Sequence, residues 1–264
     1  MPSLPIFLIN LDRSADRLRR MQDQAAHLSN QFTRVRGVDG LVLPDNMRPE
    51  FLNPDGSPRS RMLPGEVGCY ASHMRAWEHV IDNRLSHAMV LEDDVILEPE
   101  LAAVAAAAVK SCPAGWDLIH LHASANKKKL IRVAQLEASY RLVRFTRLPI
   151  NACAYLISQS GARKMRQPGP RVRPVDVEMR HGYLRNMDIY GVWPSIVENG
   201  PLDDASSIIG RTAQRIAQHR RQWDPSLLHR ACGQLFNWHK AARSILQAVR
   251  RAPSPTAAGD GSQA

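Results

Sequence analysis

The sequence predicts an α/β protein with a mostly parallel central sheet flanked by helices, and three observations carry that reading. Short apolar runs of strand-like composition, at 4–11, 32–38, 86–97, 116–122 and 189–193, alternate with stretches of helical pattern. A length of 264 residues accommodates one such domain with appendages. The run 86–97 brings three consecutive acids, Glu92, Asp93 and Asp94, to the end of an apolar strand. That is the edge at which open α/β sheets bind their ligands.

Residues 4–11 form the first predicted strand, without the basic region and small-residue cleavage site of a signal peptide. Asp12, Arg13 and Ser14 lead into a helical pattern from 15 to about 28, and 32–38 reads as a second strand closed by Gly37-Val38-Asp39-Gly40. The Pro-, Asn-, Asp- and Gly-rich stretch 41–61 predicts a long loop, of the kind often used as a functional lid. A helix is expected from Pro64 to about Asn83, then the acidic strand, then an alanine-rich helix over 101–110 opened by Pro99. After a strand at 116–122 and an exposed loop at Lys127, Lys128 and Lys129, residues 140–148 and 152–158 read as a strand pair. A short helix after Ser160-Gly161, a turn at 168–174 and a strand at 189–193 complete the body.

Three adjacent carboxylates repel one another, and a divalent cation removes that repulsion. Mg²⁺ and Mn²⁺ take carboxylate oxygens and complete their shells with substrate phosphates. Strand side chains alternate, so Glu92 and Asp94 are expected on one side and Asp93 on the other, the spacing of a metal clamp. A solvated loop after a strand is the bland alternative.

The charge of +10 is localised: residues 211–251 hold nine basic residues against Asp224 alone, which accounts for +8. Along 227–249, Leu227, Ala231, Leu235, Trp238, Ala242, Ile245 and Val249 recur at steps of three or four, with the cations outside that stripe. Such a basic amphipathic helix either lies on an anionic membrane surface or docks on the body. The expected organisation is a catalytic domain over 1–205, this helical extension over 206–251 and a disordered tail over 252–264. Four cysteines without CxxC spacing argue against a zinc site and a disulfide framework, which favours a cytoplasmic location. The absence of a stacking aromatic platform among the cations argues against nucleic acid.

Several motifs also occur in order: Ile9-Asn10-Leu11-Asp12-Arg13 with Asp16-Arg17, Val38-Asp39-Gly40, Gly65-Glu66-Val67-Gly68-Cys69 with Ser72-His73, Leu91-Glu92-Asp93-Asp94, Ala154–Ser158 with Gly161-Ala162, Pro174-Val175-Asp176 and Tyr190-Gly191-Val192. Over 4–200 the chain resembles family 25 glycosyltransferases, which include lipooligosaccharide β-galactosyltransferases and relatives of collagen galactosyltransferases. The resemblance implies a GT-A-type nucleotide-binding fold and inverting transfer of a hexose, galactose, from UDP-galactose or another nucleotide sugar to a lipopolysaccharide or other surface glycan. It also implies Mn²⁺, or Mg²⁺, as helper. On these residues it implies Asp94 as principal metal ligand with Glu92 in support, and Asp93 as the alternative ligand, otherwise set to bind the donor. Asp176 is then the general base, with Glu178 able to take either role. Asn10, Arg13, Arg17 and Asp39 would meet the nucleotide, though Arg13 and Arg17 equally fit a surface helix face. Ser72 and His73 match a family position, and His73 could equally be a packed core histidine; Tyr155 reads as core.

His120, His122 and the lysine run depart from the family's pattern; the histidines are expected to face solvent and the lysines to form a solvated loop. Sugar-1-phosphate nucleotidyl transfer lacks its glycine-rich loop here. The alternative from another class is a non-catalytic basic membrane-binding protein that retains only the fold; on either reading the expected location is cytoplasmic, peripheral on the inner face of the cell membrane.

Overall fold

The computed structural model describes residues 4–26, 32–122, 130–146, 148–200, 231–240 and 242. In chain order the elements are β1 (Ile6–Asn10), α1 (Ala15–Ala25), β2 (Thr33–Arg36), α2 (Arg48–Phe51), α3 (Pro64–Asp82), β3 (His87–Glu92), β4 (Val95–Leu97) and α4 (Leu101–Ser111). There follow β5 (Leu118–His120), β6 (Leu130–Gln135), β7 (Arg141–Phe145), β8 (Ala154–Ser158), α5 (Gln159–Met165), α6 (Val175–Arg180), a 3₁₀ turn (Gly182–Arg185), β9 (Ile189–Trp193) and β10 (Val197–Asn199).

Eight strands form one sheet in the order β2-β1-β3-β8-β5-β9-β7-β6. Six of them point one way, so the sheet is mostly parallel in direction. Yet β7 and β8 run against their neighbours, which leaves only three of seven adjacent pairings parallel. β7 and β8 are not partners: β8 sits between β3 and β5, and β7 between β9 and β6. The expected strand pair over 140–158 is therefore corrected to two strands placed apart in the sheet. The acidic run also divides, since β3 ends at Glu92 and β4 pairs with β10 in a separate two-stranded sheet.

Alternating side chains give the sheet two apolar faces. One includes Phe7, Val90, Leu118, Tyr155 and Ile157 in a layer with α3 residues Met74 and Trp77 and with Met165 of α5. The other includes Leu8, Met89, Leu91, Ile119 and Leu156 in a layer with Val104 and Ala108 of α4. α3 starts with Pro64 at its first position, and the Glu66 carboxylate accepts from the Leu63 backbone N–H at 2.8 Å, satisfying an otherwise orphaned donor.

The segment 41–61 is not an open lid. It carries α2, buries Met47 and Phe51, and closes a bridge between Leu52 and Pro58. Arg171, itself 2% exposed, pins Glu50 at 2.7 Å. Among the described residues no helix is long and apolar enough to cross a membrane. Lys127, Lys128, Lys129 and the tail 252–264 lie outside the described residues, as does most of the extension. Its described part, 231–240, is helical and meets the body through Phe236, 6.4 Å from Tyr183 between ring centroids.

Candidate active site at the carboxyl edge of the sheet

β1, β2, β3 and β5 end at one edge of the sheet, and the antiparallel β8 begins there. Asn10 closes β1 and Glu92 closes β3, and the register between the strands sets Ile9 opposite Glu92. The Glu92 backbone N–H is taken by Cys153 O at 2.8 Å, at the entry to β8. Asp93 and Asp94 then occupy a turn, so strict strand alternation stops at Glu92.

The three acids have different surroundings. Asp93 is drawn over β1: it accepts from Asn10 Nδ2 at 2.6 Å and from Arg17 Nη1 at 3.0 Å, and only 10% of its side chain is exposed. Asp94 lies 3.4 Å from the same Arg17 nitrogen and is 43% exposed. Burial foremost, then the charge of Glu92 and that of Asp93, push the Asp94 carboxyl up to about 6 against the pull of Arg17. Glu92 turns to α3, where its Oε1 lies 3.0 Å from His73 Nε2 and 3.3 Å from Cys69 Sγ. Burial pushes Glu92 up, but hydrogen bonds from His73 and Cys69 and the charge of Arg17 outweigh it and hold the carboxyl below its ordinary value.

α1 sets Arg17 because Gln24, seven residues on and so on the same helical face, grips β4 through Val95 O and the Leu97 N–H, each at 3.0 Å. Asn10 is a second junction, with Nδ2 also reaching Ser14 O at 3.0 Å and Oδ1 accepting from Arg34 Nε at 2.9 Å. Arg13 pairs with Asp39 at the exposed rim. The Leu41 backbone N–H and the Arg13 guanidinium hold Asp39 below the usual carboxylate range.

The glycine motifs join two segments backbone to backbone. A Cβ at Gly40 would lie 1.7 Å from Pro64 O, and one at Gly68 would lie 2.5 Å from Val38 O. Ser72 completes this clasp: its hydroxyl accepts the Val38 N–H at 2.8 Å and donates to Gly68 O at 2.6 Å, with the residue 3% exposed. One turn of α3 thus registers the Val38-Asp39-Gly40 loop against the acids, through Ser72 on one side and Cys69 and His73 on the other.

His73 is fully buried and takes part in a polar chain. Trp77 Nε1–H can only donate, so it donates to Tyr155 Oη at 2.9 Å. The tyrosine hydroxyl can then donate to His73 Nδ1 at 2.8 Å, which leaves an Nε2–H facing Glu92. Tyr155 lies in the core, as its apolar strand implies, with its hydroxyl in use.

Asp176 lies in the first turn of α6, and its charge, with those of Glu92 and Asp94, is felt at Cys69. Burial above all, and then these acids, raise the Cys69 thiol well above its ordinary value. Glu178, two residues on, accepts from Arg185 at 2.8 Å and Arg173 at 3.4 Å. The structure therefore sets Glu92 against Cys69, leaves Asp94 and Asp176 near enough for their charges to raise its thiol, ties Asp93 to Asn10 and Arg17, and gives Glu178 to an arginine clamp. His120 and His122 do not face solvent. They are 1% and 6% exposed, and among the described residues His120 has no hydrogen-bond partner at either ring nitrogen. β5 is an interior strand between β8 and β9, which buries His120, and His122 beyond its end lies 2.8 Å from Val197 O through Nδ1. Sequence reasoning missed Cys69, the hydroxyl of Tyr155 and Arg34; the i, i+4 spacing of Cys69 and His73 on one helix was the available signal.

Residues 3–178 match the family model described as glycosyltransferase family 25 (LPS biosynthesis protein). Human procollagen galactosyltransferase 2 is 30% identical over 191 residues, 65% of this chain and 29% of that protein. A glycosyltransferase 25 family member of Anopheles gambiae is 30% identical over 183 residues, 65% of this chain and 30% of its own length. The human inactive glycosyltransferase 25 family member 3 is 31% identical over 187 residues, with 65% and 30% covered. The chain spans about 30% of the length of these relatives. The crystal structure of an active-site mutant of LgtC aligns over 84% of this chain and 97% of its own, with a TM-score of 0.39 and 11% identity.

Proposed function

Since this chain belongs to glycosyltransferase family 25, we propose that it is a metal-dependent inverting glycosyltransferase of GT-A type. It moves galactose from UDP-galactose to a lipopolysaccharide or other surface-glycan acceptor. The observation that carries the reading is Asp94. It stands at the carboxyl edge, is the most exposed of the three acids, and holds a charge that burial and its acidic neighbours oppose.

The donor set fits a hard cation, because Asp94 and Glu92 offer carboxylate oxygens of the kind Mn²⁺ and Mg²⁺ take. When bound, that cation supplies Lewis-acid neutralisation of the leaving diphosphate. The chain's own residues do the rest. Asn10 and Arg17 hold Asp93, and with it the turn that presents Asp94. Arg13 and Asp39, paired at the rim, meet the nucleotide, while Ser72 fixes the loop that carries Asp39. Asp176 takes the proton of the acceptor hydroxyl as general base. Glu178, neutralised by Arg173 and Arg185, steadies α6.

For the extension we propose peripheral attachment to the inner, anionic face of the cell membrane, in the cytoplasm. The support is that Ala231, Leu235, Trp238 and Ala242 of the apolar stripe are exposed, with Leu235 at 70% and Trp238 at 52%, while Phe236 turns to the body. Equal partitioning of the full chain and a version ending at Gly210 onto anionic liposomes overturns that part.

Turnover of a panel of nucleotide sugars, with Mn²⁺ or with a chelator, tests the transfer reading. Chelator-sensitive use of UDP-galactose, lost in Asp94→Ala and slowed about 10²–10⁴-fold in Asp176→Asn, is expected. Metal-independent turnover, or normal activity of Asp94→Ala, overturns the site. Neither turnover nor thermal stabilisation with any donor would favour the non-catalytic reading, in keeping with the human relative named inactive.

A further inference from the structure

Cys69 and His73 stand four residues apart on one face of α3, and Glu92 ends β3 beside them. Sγ, Nε2 and a carboxylate oxygen lie within 4.8 Å of one another. Both helical atoms aim at the same oxygen, Glu92 Oε1, from 3.3 and 3.0 Å. The far nitrogen of the imidazole rests 2.8 Å from Tyr155 Oη, which Trp77 anchors at 2.9 Å. An outer partner of this kind orients a metal-ligating histidine.

We propose that Cys69, His73 and Glu92 form a binding site for a borderline-soft divalent cation of the zinc class, distinct in its ligand chemistry from the hard cation assigned to Asp94. It goes beyond the transfer reading and shares Glu92 with it. Three unlike protein ligands, S, N and O, leave a fourth tetrahedral position open. The thiolate is the discriminating donor, since it selects zinc and cobalt over magnesium and manganese. Loading exchanges the Cys69 S–H bond for a sulfur–metal bond, and that proton leaves to solvent. The imidazole stays neutral: its proton passes from Nε2 to Nδ1, where Tyr155 Oη accepts it and the phenolic hydrogen turns away. One proton is therefore released per ion. The sequence argument against zinc concerns Cys–Cys spacing; the fold instead joins a Cys-x-x-x-His pair to a strand-end acid.

The test uses the full chain carrying Cys232→Ser, which removes the exposed thiol. Titration with Co²⁺ is expected to give a sulfur-to-cobalt charge-transfer band that saturates at one ion per chain. Zn²⁺ displaces it, and equal Mn²⁺ does not. Adding Cys69→Ser abolishes the band and weakens zinc binding by more than the roughly 10–100-fold cost of losing an outer partner. No band in Cys232→Ser, or a band that survives Cys69→Ser, overturns the proposal. Should the double variant fail to fold, zinc X-ray absorption of the Cys232→Ser protein decides: one sulfur in the shell supports the site, a sulfur-free shell overturns it. Mn²⁺-dependent nucleotide binding on the same Cys232→Ser protein reads the transfer reading separately, so intact binding without a cobalt band overturns only the zinc-class site.

Discussion

Replacing His120 by leucine removes two ring nitrogens that have no hydrogen-bond partner among the described residues and a ring packed edge-on to Phe145 at 6.2 Å. Burial, and after it the charge of His122, lower the His120 imidazole from 6.5 to about 3. Folded His120 therefore stays neutral where an unfolded histidine takes a proton. Across that window the unfolded state binds more protons, so stability is lost as pH falls below 6.5 and continues to fall until about 3. pH 5 lies 1.5 units below the ordinary histidine value of 6.5, which corresponds to about 2 kcal/mol of stability lost relative to pH 7.5. In a domain of this size that is about 4–8 °C in melting temperature. Urea denaturation of the parent and His120→Leu at pH 7.5 and 5.0 reads it, because other titrating groups are common to both proteins. The variant's stability should fall by about 2 kcal/mol less than the parent's on acidification. Parallel pH dependence in the two proteins would refute the assignment of a neutral, buried His120.

Ser72→Ala leaves the buried Val38 N–H without its acceptor, at a cost of about 1–3 kcal/mol, whereas Ser72→Thr keeps the oxygen and restores most of it. Thermal melts check this, and an unchanged melt with weakened nucleotide binding would make Ser72 a donor contact instead. Gly68→Ala places a Cβ 2.5 Å from Val38 O and 2.7 Å from Gly40 N, both backbone atoms, so the variant should melt lower and bind nucleotide more weakly at once. Asp94→Asn removes a charge that its surroundings disfavour; it should melt no lower than the parent at pH 7 while losing the stabilisation that Mn²⁺ gives. Arg17→Met deprives Asp93 of its cation in a pair whose side chains are 12% and 10% exposed, and should lower stability, measured by denaturation, by about 3–5 kcal/mol.

Much of this was legible because period and punctuation are local. The first strand, α3 and the alanine-rich α4 follow from apolar spacing and from Pro64 and Pro99, and the acid triplet declared itself by charge alone. β6 did not, since Leu130 to Gln135 is half-exposed and broken by a bulge between Arg132 and Ala134, so its alternation is weak. α6 did not either: it has only six residues, and the β-branched Val175 and Val177 give it no helical signature. Strand order is a global property, and nothing within 140–158 tells that β8 inserts between β3 and β5 while β7 goes elsewhere. That insertion, with β9 on the other side, makes β5 internal and buries His120, which nothing local to 116–122 announces. In the site, charge type was readable but allegiance was not: Asp93 and Asp94 look alike in sequence, and only α1 decides which of them Arg17 satisfies.

The insertion of β8 also orders events during synthesis. Until residues 154–158 leave the ribosome, β3 has β1 on one side and an open ladder on the other, with Ala88 to Leu91 presented as an apolar edge. Exposed apolar edges recruit other chains. A nascent chain stalled before Ala154 would therefore hold its acid-bearing strand with an unpaired apolar edge, and chaperone capture should fall when β8 zips in and again when β9 covers β5. The strand that enters between β3 and β5 is thus the one that closes the ladder of the acid-bearing strand.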